Sequence, residues 1–221
     1  MHSAGPARSC RCSHRERESL VALGQARNDG QARLSVEVYL ARHGETEWSL
    51  SGRHTGITDL PLTSQGEAKA ARLKSRLQNI QFDAVFSSPL QRAKRTAELA
   101  GFPSPQLTAL LREVDYGEYE GLTTKAIRAS RPGWELYKDG SPGGEMPAQI
   151  YERALAFINL SSAAGGRVLA FSHGHFLRAV AVAWMKLEVT AASTLDLDVA
   201  TLGLLRNDDK GRLLAMWNSP P

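Results

Sequence analysis

The chain has 221 residues, 42% hydrophobic and 23% charged, enough for one domain of ordinary size with a real core. Its apolar runs all fall short of the roughly 18 residues of a membrane-spanning helix, so no span is expected. The formal charge of +4 lies mostly in residues 1–34, where six arginines face three acids; a body carrying the remaining +1 argues against a nucleic-acid surface.

Residues 1–34 mix Ser, Gly, Arg and Gln with little apolar periodicity and read as a flexible N-terminal extension, leaving 35–218 as the domain. Both cysteines, Cys10 and Cys12, lie in that extension, so the body is expected to hold neither a disulfide nor a cysteine metal site. Cys-x-Cys beside His14 lacks a fourth ligand and reads as solvated thiols. There is no apolar segment of signal-peptide type, and Glu16, Glu18 and Asp29 are unlike a transit peptide, so a cytoplasmic location is expected.

Taken in order, Val38 to Ala41 is an apolar run that stops abruptly at Arg42-His43-Gly44, as a buried strand delivering polar groups to one sheet edge would. Ser51 to Gly56 is a glycine-punctuated loop. Thr63 is placed to cap a helix whose apolar positions are Ala68, Ala71, Leu73 and Leu77. Phe82 to Phe86 reads as a second buried strand ending in Ser87-Ser88-Pro89, followed by a helix from about Leu90 to Leu99 with Arg92 in its first turn. Leu107 to Leu111 is expected as a short strand leading into an acidic, glycine-bounded segment, Arg112 to Leu122.

Residues 123–131 read as a helix, and Pro132 to Gly144 as a long irregular stretch. Pro147 opens a helix with apolar positions Ile150, Ala154, Leu155 and Ile158, closed by Gly165-Gly166. Arg167 to Phe171 is a third buried strand, ending in Ser172-His173-Gly174-His175 before a helix carrying Phe176, Val180, Ala183 and Trp184. Thr201–Arg206 and Arg212–Trp217 then form an antiparallel hairpin. Strands alternating with helices predict a three-layer α/β/α sandwich with a mostly parallel sheet and that hairpin at one edge.

Three strands thus end in reactive groups, and a parallel sheet gathers such ends on one edge. Two histidines and two arginines there make a cationic cup whose planar donors match phosphate oxygens. A neutral imidazole can attack phosphorus, arginines can stabilise the transferring group, and a carboxylic acid such as Glu113 or a neighbour can protonate the leaving oxygen. A metal is the competing use of His43, His54, His173 and His175. The His-x-His spacing is unlike a zinc-protease pair and the arginines repel a cation, so no metal and no other cofactor is expected.

These blocks resemble the histidine phosphatase superfamily, also called phosphoglycerate mutase-like. Leu40 to Thr46 is similar to its Arg-His-Gly signature, Ser88 to Thr96 to the segment bringing a second phosphate arginine, Glu113 to Gly121 to the acid-bearing segment, and Ser172 to His175 to that of the second pocket histidine. The resemblance implies His43 as nucleophile, Arg42, Arg92 and His173 as the phosphate cup, and Glu113 as proton donor. It puts Ser49, Thr55, Gly56, Tyr116, Gly174 and His175 on the substrate side, with His54 read as a loop or rim residue.

Within that family the chain resembles a phosphatase rather than a mutase. Ser49 stands where mutases usually carry Asn, Thr124 where they carry a substrate lysine, and the stretch after Gly121 is too short for their arginine-bearing insertion. The expectation is a metal-independent phosphomonoesterase acting on a small phosphorylated substrate, with phosphoglycerate mutase and a non-catalytic phospho-ligand binder as alternatives. No nucleic-acid or membrane partner is expected, and a homodimer is allowed for.

Overall fold

The computed structural model describes residues 36–209 and 211–221. The expectations for the 1–34 extension, including Cys10, Cys12 and His14, lie outside the described residues.

The chain runs β1 (Val36–Arg42), α1 (Glu47–Leu50), α2 (Ser64–Leu77), β2 (Ala84–Ser87), α3 (Gln91–Leu99) and β3 (Gln106–Leu107). It continues through α4 (Thr124–Ser130), α5 (Leu136–Asp139), α6 (Pro147–Ala164), β4 (Arg167–Ser172), α7 (Gly174–Trp184), β5 (Leu202–Asp208) and β6 (Gly211–Ser219). The six strands lie in the order β3-β2-β4-β1-β5-β6. The four on the β3 side are parallel, while β5 pairs antiparallel with β1 and with β6, so the hairpin closes one edge.

Period-two alternation sorts the strand residues between two cores. Val38, Leu40, Val168 and Ala170 face α6 and α7, where they meet Ile150, Phe157, Phe176 and Val180. Ala41, Leu169 and Phe171 face the other way, against Leu73, Leu77 and Ala97 of α2 and α3. Both faces are covered, which is why these strands read as unbroken apolar runs. No helix among the described residues is long and apolar enough to cross a membrane.

Four local expectations change. The buried face of α2 is Gly66, Ala70, Leu73 and Leu77, so Ala68 and Ala71 face solvent. Gly66 sets that rotation: a Cβ there would lie 2.2 Å from the Glu45 carbonyl oxygen, an approach only glycine allows. Leu155 likewise faces outward from α6, with Phe157 buried in its place. Between Leu107 and Leu111 the strand lasts two residues and gives way to a 3-10 turn, Ala109–Leu111, capped by the Thr108 hydroxyl accepting from Leu110 N–H. The 132–144 stretch is ordered around α5, with Trp134 and Tyr137 buried.

Register aligns the strand ends. Arg42 pairs with Ser172 and Ser87 with Phe171, while His43 N–H donates to Ser172 O at 2.9 Å and Ser88 N–H to Phe171 O at 2.9 Å. His43, Ser88 and His173 therefore leave the sheet at one level.

Candidate active site

His43 emerges from β1 with 4% of its surface exposed. Its Nδ1 lies 2.6 Å from the Gly44 carbonyl oxygen, which can only accept, so Nδ1 carries the proton and the lone pair is on Nε2. Burial, then Arg92 and Arg42, hold its pKa well below the ordinary histidine value. The imidazole is consequently neutral at pH 7, the form in which it can act as a nucleophile.

Arg42 is pinned by Nη1 donating to Leu197 O. Its buried Nε has no hydrogen-bond partner among the described residues, a donor of the kind an anion satisfies. Gly174 makes room for it: a Cβ at that position would sit 3.1 Å from the Arg42 guanidinium carbon.

Arg92 is fully buried, and its donors turn onto the chain itself. Nη1 donates to Thr58 O at 2.9 Å, Nη2 to Thr55 O at 3.1 Å and Gly56 O at 3.0 Å, and Nε to His173 Nδ1 at 3.0 Å. His173, whose pKa burial and Arg92 push well down, is neutral, so its proton is on Nε2 and is donated to Ser88 Oγ at 2.8 Å. Its ring centroid lies 5.0 Å from that of His43. Arg92 and His173 thus back His43 and brace the 55–58 loop.

Glu113 separates cleanly from its acidic neighbours. Its Oε1 accepts Val114 N–H at 3.0 Å and Phe176 N–H at 2.8 Å, and Oε2 accepts His175 N–H at 3.1 Å, docking the carboxyl group on the first turn of α7. Glu118 is exposed. Glu120 clasps the opposite loop, accepting Gly56 N–H at 2.9 Å and Thr58 N–H at 3.0 Å.

A cavity of about 250 Å³ opens on these groups. Arg42, His43, Ser49, Thr55, Glu113, Tyr116 and His175 line it, as do Gly52, Arg53, His54 and Thr124. Of the residues singled out in the sequence, Arg92, His173, Gly56 and Gly174 stand behind the wall. His54 is buried rather than at the rim, its ring 4.7 Å from Tyr116 and its Nε2 3.1 Å from Thr124 Oγ1. Burial lowers its pKa to about 4. Tyr116 Oη meets His175 Nδ1 at 2.7 Å, and burial pushes the His175 pKa well down too, leaving both imidazoles neutral at pH 7.

Sequence reasoning passed over Arg53 as a wall residue and Glu120 as a loop clasp. Arg53 sits in the glycine-punctuated loop Ser51 to Gly56, beside the Thr55 and Gly56 already placed on the substrate side. Glu120 carries no signal, since its partners are backbone amides more than sixty residues away.

The family model of the histidine phosphatase superfamily (branch 1) matches residues 38–220. An acid phosphatase of Mycobacterium tuberculosis is 42% identical over 184 residues, covering 80% of this chain and 89% of that protein. A sedoheptulose 1,7-bisphosphatase of Saccharomyces cerevisiae is 37% identical over 189 residues, with 71% and 70% covered. The solved structure of the Mycobacterium tuberculosis open reading frame Rv3214 superposes with a TM-score of 0.81 at 39% identity, covering 84% of this chain and 98% of that one.

Proposed function

The chain belongs to the histidine phosphatase superfamily and is a phosphoric monoester hydrolase; from that premise we propose that it hydrolyses small phosphorylated metabolites without a metal, through a phosphohistidine at His43. The observation that carries this reading is the tautomer of His43, which puts a neutral Nε2 lone pair at a cavity shared with Arg42 and Glu113.

In the first step the Nε2 lone pair attacks phosphorus and the bond to the ester oxygen breaks, its electron pair leaving with that oxygen. Arg42 offers its Nε–H and guanidinium charge to the equatorial oxygens as charge redistributes. Glu113 passes a proton to the departing oxygen; Oε2, which accepts one backbone N–H against two at Oε1, has the lone pair to carry it. In the second step water attacks phosphorus, Glu113 takes its proton, and the P–N bond breaks to return the lone pair to Nε2.

Beyond the reacting end the deep wall is uncharged, made of Ser49, Thr55, Thr124, Tyr116 and the neutral imidazoles of His54 and His175; the charge of Arg53 lies at the exposed mouth. Hydroxyls and imidazoles suit a leaving group rich in hydroxyls better than one whose carboxylate must be held deep. The arginine-flanked imidazoles also favour a metal-free site. Among the described residues no three His, Cys, Asp or Glu side chains are grouped as metal ligands.

Purified protein should hydrolyse p-nitrophenyl phosphate in EDTA while His43→Ala does not. Turnover that EDTA abolishes, or that His43→Ala keeps, would overturn the proposal. Assays on 3-phosphoglycerate with and without 2,3-bisphosphoglycerate should show release of phosphate rather than isomerisation.

A further inference from the structure

Glu113 is held by its own neighbours at the carboxyl group, but the backbone that carries it is held from α6. Arg153, half-buried, directs Nη1 to Leu110 O at 2.9 Å and Arg112 O at 2.7 Å, and Nη2 to Glu113 O at 3.3 Å. The same guanidinium makes a two-point pair with Glu145, Nε to Oε1 at 2.8 Å and Nη2 to Oε2 at 2.7 Å. Glu145 in turn accepts Asp115 N–H at 2.9 Å through Oε2 and donates its own N–H to Asp115 O at 2.9 Å. Residues 110, 112, 113 and 115 are thereby fastened to one ion pair.

A second contact points the same way. The Arg153 guanidinium carbon lies 4.0 Å from the ring centroid of Phe176, the residue whose N–H holds Glu113 Oε1. One cation therefore grips both the chain bearing the acid and the residue that orients its carboxyl group. Neither Arg153 nor Glu145 lines the cavity that His43 and Glu113 share.

We propose that Arg153, paired with Glu145, is a positioning residue that sets the reach of Glu113 to the leaving-group oxygen. The inference rests on the reading of Glu113 as proton donor given above. Its function is geometric: three N–H bonds to the 110–113 carbonyls, two to Glu145 and a stacked ring hold the backbone of a carboxyl group that must be within hydrogen-bond range of one oxygen. Loss of the clamp lets the 110–115 segment drift, and a shift of about 1 Å at a catalytic group can cost on the order of 10²-fold.

The test exploits the leaving group. The alkoxide of glucose 6-phosphate needs a proton as it departs, whereas 2,4-dinitrophenolate leaves as a stable anion. In Arg153→Met, which keeps a flexible apolar stem against Phe176, kcat/KM for glucose 6-phosphate should fall about tenfold to a hundredfold more than that for 2,4-dinitrophenyl phosphate. A ratio of two substrates is insensitive to the fraction of folded protein. Arg153→Lys should recover part of the ratio, and Glu145→Gln should move it the same way by less; these serve also if Arg153→Met does not fold. Equal losses on both substrates, or no loss on either, would overturn the proposal. Glu113→Gln separates the two readings: if it leaves the substrate ratio unchanged, the acid assignment itself fails.

Discussion

The reacting end of the cavity and its outer wall are built by different means. Arg42, His43 and His173 sit at strand ends, and main-chain register between β1 and β4 fixes their level whatever their side chains do. The wall formed by residues 52–58 and 113–124 has almost no sheet behind it, only the isolated bridge between Arg53 and Thr123. It is held by side chains binding backbone: Arg92 on three carbonyls, Glu120 on two amides, Arg153 on three more carbonyls. The nucleophile and its cationic neighbours are thus mounted on the rigid half, while the acid Glu113 and the substrate's shape depend on the half held by a few polar contacts.

That division predicts which substitutions hurt activity alone and which hurt the fold. The largest effect belongs to His43→Ala, which should lower kcat/KM on the order of 10⁵-fold while leaving the thermal midpoint nearly unchanged, because the strand end does not need the ring. A comparable loss of midpoint in calorimetry would blur the comparison. Arg92→Ala joins the two halves and should damage both. Removing it strands three loop carbonyls and His173 Nδ1, costing roughly 3 kcal/mol of stability by chemical denaturation, alongside a loss of about 10²-fold in kcat/KM. A variant as stable as wild type would show that the loop holds itself.

The wall also has a pH signature. His54 in the folded protein has its pKa lowered from 6.5 to about 4, so between those values the unfolded chain binds more protons. Stability contributed here is present above pH 6.5 and lost as pH falls toward 4, amounting to about 2 kcal/mol between pH 7 and pH 5. Urea midpoints of wild type and His54→Gln should show that part of the pH dependence vanish in the variant. Burial, then Arg92 and Arg42, push the His43 pKa well below 6.5 too, so kcat/KM should not break at pH 6.5 on its account. The smallest effect is expected for Glu120→Ala, which loosens the loop without touching the reacting groups. KM should rise about tenfold with kcat within a factor of two; a fall in kcat alone would place Glu120 in the chemistry.

The same division explains what could be read from the sequence. Val38 to Gly44, Phe86 to Ser88 and Phe171 to His175 announce themselves because a doubly covered strand must be apolar and must stop where it leaves the sheet. Parallel pairing then brings their ends together with no further information. Glu113 could be named only through motif resemblance, since Glu118 and Glu120 share its local pattern; contact with the start of α7 is what distinguishes it. The burial of His54, the turning of Arg92 onto loop carbonyls and the clasp of Glu120 join residues 34 to 70 positions apart, and no local periodicity encodes such pairings. On α2, alanines are too weakly apolar to set a face, and the close approach of Gly66 to Glu45 decides it.

The central claim is that phosphoryl transfer passes through Nε2 of His43. Rapid quench of the enzyme turning over a labelled phosphomonoester, followed by peptide mapping and identification of the phosphohistidine isomer, tests it most directly. An acid-labile phosphoryl group on residue 43, attached at Nε2 and absent from His43→Ala, is the predicted result. Turnover with no phosphoenzyme, or a phosphoryl group on Nδ1 or on another residue, would contradict it.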